Sequence, residues 1–306
     1  MTHDRPLLGI GLMLAFCVLA PLLDTASKLA TETIPVGQIT AARFFVQGAL
    51  MVPVALLMGY SWRLGRRDAG LLLARAVFLL ASTYGFVAGV QVMPIADALA
   101  IVFVEPFILL ILGYLIFGDH IGPRRIIASI VGFIGALFVI QPSITAFGLV
   151  ALFPLLSAFC FAAYMLITRA MASSVPPVMQ QLHTSIAGSL ICLPIIAIAD
   201  VTHWPTLDPV MPQGFAWLWL FGVGFWAAVS HICVTMALKL TPASTLAPIQ
   251  YLEILPAILL GYLVFGDFPN TLTWIGIVII VGSGLYIIHR ERWVAARIHA
   301  ARPADT

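Results

Sequence analysis

Charged side chains are scarce in this chain. Asp, Glu, Lys and Arg make up 9% of its 306 residues, whereas soluble domains carry roughly 25%. Hydrophobic residues account for 61%, which leaves too little polar surface for a fold surrounded by water. The shortage of charge excludes an ordinary soluble domain and predicts an integral membrane protein.

Cysteine is also rare, and it forms no pattern. The four cysteines, Cys17, Cys160, Cys192 and Cys233, all lie in apolar runs without the paired spacing of a metal site. We therefore expect packing residues, with no disulfide framework and no bound metal.

The motifs of nucleotide and catalytic chemistry are missing. The chain has no glycine-rich phosphate loop, and no connection is long enough to hold a nucleotide-binding fold. No nucleophile and base lie at one level. The sequence predicts a protein that is not an enzyme, with no cofactor, no nucleic-acid partner and no ATP hydrolysis on this chain.

What the sequence does contain is a series of long apolar runs. A helix needs about 20 apolar residues to cross the hydrocarbon, and ten such runs fit with only short connections. The first is long and followed by nine more, so we expect an uncleaved helix rather than a signal peptide. The predicted spans are 7–27, 36–59, 70–92, 95–117, 124–141, 147–168, 178–199, 214–238, 244–266 and 271–289.

The basic residues predict the orientation of these spans. If both termini are cytoplasmic, most of the 15 basic residues lie on the cytoplasmic side or at helix ends that face it, as the positive-inside tendency requires. They are Arg5, Arg63, Arg66, Arg67, Arg75, Arg124, Arg125, Arg169, Lys239, Arg290, Arg292, Arg297 and Arg302.

An internal duplication divides the chain. The stretch EPFILLILGYLIFGD at 105–119 recurs without a gap as EILPAILLGYLVFGD at 253–267, so each position differs from its partner by 148. We predict a first repeat at 1–142, a second at 143–290 and a cytoplasmic tail at 291–306. Five helices per repeat is an odd number, so the two repeats have opposite orientations.

Each repeated stretch begins with a glutamate deep in an apolar run. Glu105 and Glu253 are predicted near the bilayer midplane, where a carboxylate needs a cavity, a partner or a proton. Pro106, Pro248 and Pro256 predict interrupted helices beside them. We favour a cavity role for both glutamates over a structural ion pair.

Polar and aromatic neighbours suggest how a solute is held. Gln250 and Tyr251 precede Glu253 and supply an amide and an aromatic face at the same level, although Tyr251 is equally well explained as a packing residue. Glu105 has apolar neighbours on its own helix. We therefore predict Gln250, Tyr251, Glu253 and Glu105 as substrate-binding residues, with Glu105 the better proton carrier.

A second polar group lies towards the predicted outer side. Asp24 and Lys28 share a helix face, and Arg43 lies too deep for its side chain to reach the outer surface, so we expect it to pair with Asp24. This cluster contacts solute, latches a gate, or is a static salt bridge. His231 is either a proton relay or, as we prefer, a buried neutral histidine bonded to a hydroxyl.

Two five-helix repeats that each end in GYLxFGD resemble the drug/metabolite transporter superfamily, specifically its EamA-type ten-helix carriers. The stretches APIQYLE at Ala247–Glu253, FGDFP at Phe265–Pro269 and DTASK at Asp24–Lys28 resemble the proteobacterial subgroup with riboflavin and S-adenosylmethionine uptake carriers. The resemblance implies a central cavity lined by helices one, three, four, six, eight and nine, without an ATPase partner.

The resulting hypothesis is a secondary transporter in the multi-pass bacterial inner membrane, built as an all-α protein of ten transmembrane helices in two inverted five-helix repeats. Its partners are the bilayer and a small, polar, ring-bearing metabolite, with riboflavin uptake as the first choice. S-adenosylmethionine uptake and export of amino acids or a metallophore stay open. So do proton coupling and a homodimer. A membrane sensor or an intramembrane enzyme is the alternative from a different class.

Overall fold

The computed structural model describes residues 6–93, 95–118, 122–140, 148–202, 204, 207–266 and 271–300. Every regular element in these ranges is a helix, so the predicted all-helical class is confirmed for this part of the chain. Asp119 and Asp267, which end the two repeated stretches, lie outside the described residues.

Among the described residues, the α-helices overlap the predicted apolar runs, but the fourth run, 95–117, and the ninth, 244–266, are each divided, and the last helix continues beyond position 289. They are α1 (Pro6–Ala30), α2 (Val36–Leu57), α3 (Arg66–Val92), α4 (Ile95–Val102), α5 (Glu105–Phe117), α6 (Pro123–Ile140), α7 (Leu152–Ala170), α8 (Pro177–Thr202), α9 (Ala216–Leu240), α10 (Ala243–Gln250), α11 (Ile254–Leu260) and α12 (Thr271–Ala300).

Seven helical segments of the described chain are long and apolar enough to cross a membrane. Three shorter apolar helices, Glu105–Phe117, Ile126–Phe138 and Trp274–Arg290, accompany them. Many large apolar side chains are exposed on the outside of the bundle, as a surface facing lipid requires.

The helices are interrupted at both glutamates of the repeat. Helix α4 ends at Val102 and α5 begins at Glu105, with a proline in its first turn. In the second half, α10 ends at Gln250 and a 3-10 turn, Tyr251–Glu253, precedes α11. Proline cannot donate a backbone hydrogen bond, so the prolines beside both glutamates favour these breaks.

The two halves of the chain pack extensively against each other. The largest helix pairs are α1 with α9, α3 with α7, α2 with α8, and α6 with α12. Small residues allow close approach: a Cβ on Gly85 would lie 2.7 Å from the carbonyl oxygen of Phe153, which only glycine avoids. This packing leaves a cavity between the halves.

Candidate substrate-binding cavity

The cavity encloses about 760 Å³ of empty space, part of which is open to solvent. Both halves of the chain contribute to its wall. The predicted spans that the resemblance implies, the first, third, fourth, sixth, eighth and ninth, all contribute to the wall. The second span, α2, also contributes, through Arg43. Its polar residues are Asp24, Ser27, Arg43, Ser82, Thr83, Glu105, Ser157, His231, Gln250 and Glu253.

Both repeat glutamates line this cavity, in different environments. Glu105 is 4% exposed, and the amide nitrogen of Gln250 donates to its Oε2 at 2.8 Å. Its second oxygen, Oε1, is buried without a hydrogen-bond partner. Glu253, at the end of the 3-10 turn, is only partly buried. Of the two, Glu253 is more accessible from the cavity.

Gln250 bonds to a different glutamate from the one that the sequence suggests. Its amide and Glu253 both line the cavity, as expected for residues on one helix face. The amide nitrogen nevertheless bonds to Glu105, which comes from the other half of the chain. A pattern along one helix gives the face of a residue but not the neighbour that faces it from another helix.

Tyr251 lies among apolar side chains rather than in the cavity wall. It is 0% exposed, and its ring packs against Phe103, Phe107 and Phe133. Its hydroxyl donates to the backbone carbonyl of Phe103 at 3.3 Å. These are the contacts of a packing aromatic, which is one of the two interpretations that the sequence left open.

Arg43 is buried in the cavity wall at 4% exposure, but its direct partners are not those predicted. It donates to the hydroxyl of Thr83 and, at 2.7 Å, to Nε2 of His231. Its Nε has no partner. Asp24 lies in the same wall and interacts with Arg43 electrostatically without being hydrogen-bonded to it. The expected direct pair is therefore not formed in this conformation.

Lys28 lies apart from this pair. Its ammonium donates to the backbone carbonyls of Val90 and Met93, where α3 ends. A cation there satisfies carbonyls that have no intrahelical donor. The predicted cluster is thus divided. Asp24 and Arg43 line the cavity, whereas Lys28 bonds to the carbonyl groups at the end of α3.

His231 lies between Arg43 and Tyr164. A guanidinium can only donate, so Nε2 of the histidine must accept from Arg43. In the neutral ring, the proton is then on Nδ1, which lies 2.9 Å from the hydroxyl of Tyr164. This is the neutral, hydroxyl-bonded histidine that the sequence favours. It can take a proton on Nε2 only if Arg43 moves away.

Arg75 is the functional candidate that sequence reasoning missed. It was counted among the cytoplasmic charges, but it is 0% exposed. Its position nine residues after Arg66 indicates the burial, because that distance is roughly 13 Å along a helix. Its guanidinium donates to the side chains of Tyr164, Thr168, Thr184 and Thr235 and to the carbonyl of Gln180.

Together, Arg43, His231, Tyr164 and Arg75 form a buried polar chain that leads away from the cavity. The Arg75 guanidinium carbon also lies 4.4 Å from the centroid of the Tyr164 ring, a cation–π contact. Beside the chain, Gln181 donates to Thr235 at 3.0 Å and accepts from Gln47 at 2.8 Å. The polar chain connects the cavity wall to residues on α3, α7 and α9.

The charged residues of the cavity interact with one another in a series. Asp24 interacts electrostatically with Arg43 and with Glu253, and Glu253 with Glu105. Asp24 is thus the carboxyl that interacts both with the guanidinium and with Glu253. Among the described residues, Arg43 is the only Lys or Arg that lines it, against three carboxyl groups. No group of three His, Cys, Asp or Glu is placed there, or elsewhere in the described ranges, to hold a metal ion.

Comparison with known proteins finds a family whose sequence pattern this chain matches. The sequence pattern of the EamA-like transporter family matches residues 7–141 and again 148–289. An S-adenosylmethionine uptake transporter of Rickettsia felis is 25% identical over 97% of both chains. A riboflavin transporter of Rhizobium johnstonii is 29% identical over 72% of this chain and 70% of that one. A riboflavin transporter of Vibrio cholerae is 28% identical over 65% and 64%.

The fold is also known from experiment. One protein of known crystal structure superposes with a TM-score of 0.72, covering 91% of this chain and 94% of the other at 19% identity. At that identity the similarity concerns the fold alone.

Proposed function

The chain belongs to the EamA-like transporter family, and we propose that it is a secondary transporter that takes up a positively charged, ring-bearing metabolite of the S-adenosylmethionine type. The observation that carries this proposal is the cavity charge, with three carboxyl groups against one guanidinium. Burying carboxylates without compensation is costly, so a cationic solute offsets a charge that a neutral one leaves in place.

The charged groups and the ring of S-adenosylmethionine each have a chemical counterpart among the residues that line the cavity. Its sulfonium and ammonium groups are cations that suit Glu105 and Glu253. Its adenine ring suits the aromatic side chains that line the same space, Phe16, Phe86, Phe103 and Phe161. The relative from Rickettsia felis, which carries this solute in its name, aligns along nearly the whole chain.

Riboflavin is the second candidate. The sequence resemblance favours it by a small margin, two of the relatives are named riboflavin transporters, and the aromatic wall suits a flat ring system. Riboflavin is uncharged, however, so it leaves the two glutamates without a cation. For that reason the cavity favours the sulfonium compound.

For the architecture we propose ten spans in two inverted five-helix repeats, at 1–142 and 143–290, with both termini in the cytoplasm of a bacterial cell and the helices in its inner membrane. Two observations support the repeats: the family pattern matches the chain twice, and both repeat glutamates lie at a helix break. The basic residues support the orientation.

We further propose that protons drive uptake, with Glu105 as the carrier of the proton. The carboxyl is 4% exposed and lies in the cavity wall, where it can be reached from the solute pathway. Intramembrane carboxyls of this kind often serve in proton relays. His231 is less suited, because Arg43 occupies its acceptor nitrogen.

Uptake by intact cells tests the substrate. Cells that lack their own carrier, with the gene or with an empty vector, would be given labelled S-adenosylmethionine and, separately, labelled riboflavin. We expect accumulation of the first above the vector level, abolished by Glu253→Gln. Accumulation of riboflavin alone would contradict the proposed substrate, and accumulation of neither would exclude both candidates.

A further inference from the structure

Arg43 is held in the cavity wall by neutral partners. Its two terminal nitrogens bond to the hydroxyl of Thr83 and to Nε2 of His231. Neither partner carries a negative charge, because the histidine accepts with an uncharged ring nitrogen. The guanidinium is therefore fixed in position while its charge remains available to a ligand.

Two features indicate that an anion belongs beside this guanidinium. Its Nε is buried without a hydrogen-bond partner, which is unusual for a charged donor. Asp24 is close enough to interact electrostatically but is not bonded to it, and Asp24 also interacts with Glu253. A buried cation without a bonded anion is costly, so a bound anion would stabilise this arrangement.

The two glutamates of the cavity wall, in turn, have no bonded cation. Glu105 has one buried oxygen without a hydrogen-bond partner, and among the described residues Arg43 is the only Lys or Arg that lines the cavity with the two glutamates. A ligand that complements both Arg43 and the glutamates therefore carries an anion and, separated from it along the molecule, a cation.

We propose that Arg43 binds the carboxylate of the solute and thereby makes the cavity selective for amino-acid zwitterions. This rests on the proposed uptake of an S-adenosylmethionine-type compound and assigns one residue to one group of it. A guanidinium suits a carboxylate because its donors match the two oxygens in geometry. The two glutamates receive the sulfonium group, which is three bonds away from the carbon that carries both the carboxylate and the ammonium.

The test compares S-adenosylmethionine with its decarboxylated form, which keeps the ring, the sulfonium and the ammonium and lacks only the carboxylate. Equilibrium binding of both would be measured on the purified full-length protein in lipid nanodiscs. A charge-assisted bond corresponds to roughly a ten-fold or greater change in affinity. We expect the wild type to bind the decarboxylated form more weakly by at least that factor.

The variant Arg43→Gln should lose about ten-fold in affinity for S-adenosylmethionine, and change its affinity for the decarboxylated form by less than about two-fold. Arg67→Gln, at an exposed arginine, is the matched control and should alter neither. Glu253→Gln should weaken both ligands. Should Arg43→Gln fail to fold, Arg43→Lys keeps the charge and should give intermediate selectivity.

Each of the other outcomes contradicts either the role of Arg43 or the proposed function. Equal binding of the two ligands by the wild type refutes the role of Arg43, and so does an equal loss of both in Arg43→Gln, because that residue then only holds the cavity together. A wild type that binds neither ligand refutes the proposed function and this assignment with it.

Discussion

At the scale of single residues, Glu105 and Glu253 show that positions related by the repeat need not be equivalent. The sequence predicts the asymmetry from the neighbours along each helix, with Gln250 assigned to Glu253. In the structure that amide bonds to Glu105. The asymmetry persists for another reason, which is burial: Glu105 is 4% exposed, whereas Glu253 is only partly buried.

The first prediction follows from this difference. Glu253→Gln should weaken solute binding at every pH, because it removes a negative charge that is accessible from the cavity. Glu105→Gln also removes a negative charge but keeps the shape and the ability to bond to Gln250, so it should weaken binding less than Glu253→Gln does, while the pH dependence of uptake flattens. Affinity and initial uptake rate would be measured for both variants between pH 5 and 8. Identical profiles would show that the two carboxyls share one role.

At this scale the sequence indicates which polar residues matter, but it does not indicate the residues to which they bond. It predicts a cavity role for Glu105, Glu253 and Gln250, whereas for Asp24 and Arg43 it leaves solute contact, a gate and a static salt bridge open. It could not decide between cavity and packing for Tyr251, whose ring surroundings come from α5 and α6 as well as from its own helix.

At the scale of secondary structure, apolar length and proline positions predicted most of the helices. The second span, 36–59, corresponds to Val36–Leu57, and the breaks before Glu105 and Glu253 lie where prolines favour them. Helix pairing was not predictable in the same way. The sequence assigns Arg75 to the charges near helix ends, because nothing along α3 indicates its five partners, which come from α7, α8 and α9.

The second prediction concerns this arginine as a connection between four helices. Arg75→Gln leaves buried oxygens on three neighbouring helices without a donor, each at a cost of about 1–3 kcal/mol. Removing an uncompensated buried charge offsets part of that cost. We expect a net loss of about 3 kcal/mol, which lowers the Tm by roughly 6–12 °C.

Thermal unfolding in detergent, followed by intrinsic fluorescence, would measure the effect of this substitution. Arg67→Gln is again the control, because it changes an exposed arginine on the same helix and should leave the Tm nearly unchanged. Arg75→Lys should also be less stable than the wild type, since an ammonium cannot reproduce a planar set of five donors. A Tm for Arg75→Gln at or above the wild-type value would mean that the buried charge costs as much as its bonds contribute.

At the scale of the whole molecule, the helix pairs form a pattern. Numbered as predicted spans, α1 with α9 is the first with the eighth, and α3 with α7 is the third with the sixth. A two-fold operation that exchanges the repeats turns one of these pairs into the other. The same operation maps α2 with α8, and α6 with α12, each onto itself. This is the pattern that two equivalent repeats around a central cavity would produce.

The last prediction tests the orientation of that arrangement in the membrane. The loop with Met211 contains no Lys or Arg and is predicted outside, whereas Arg66 begins α3 on the basic, cytoplasmic side. Both positions are exposed, so a cysteine at either can react.

Replacing Cys17, Cys160, Cys192 and Cys233 by alanine removes the native thiols, which are mostly buried. A membrane-impermeant maleimide added to intact spheroplasts should then label Met211→Cys and not Arg66→Cys, while permeabilised membranes should show both labelled. Labelling of Arg66→Cys alone in intact spheroplasts would invert the orientation. Labelling of both there would place the two loops on one side, which an odd number of spans between them forbids.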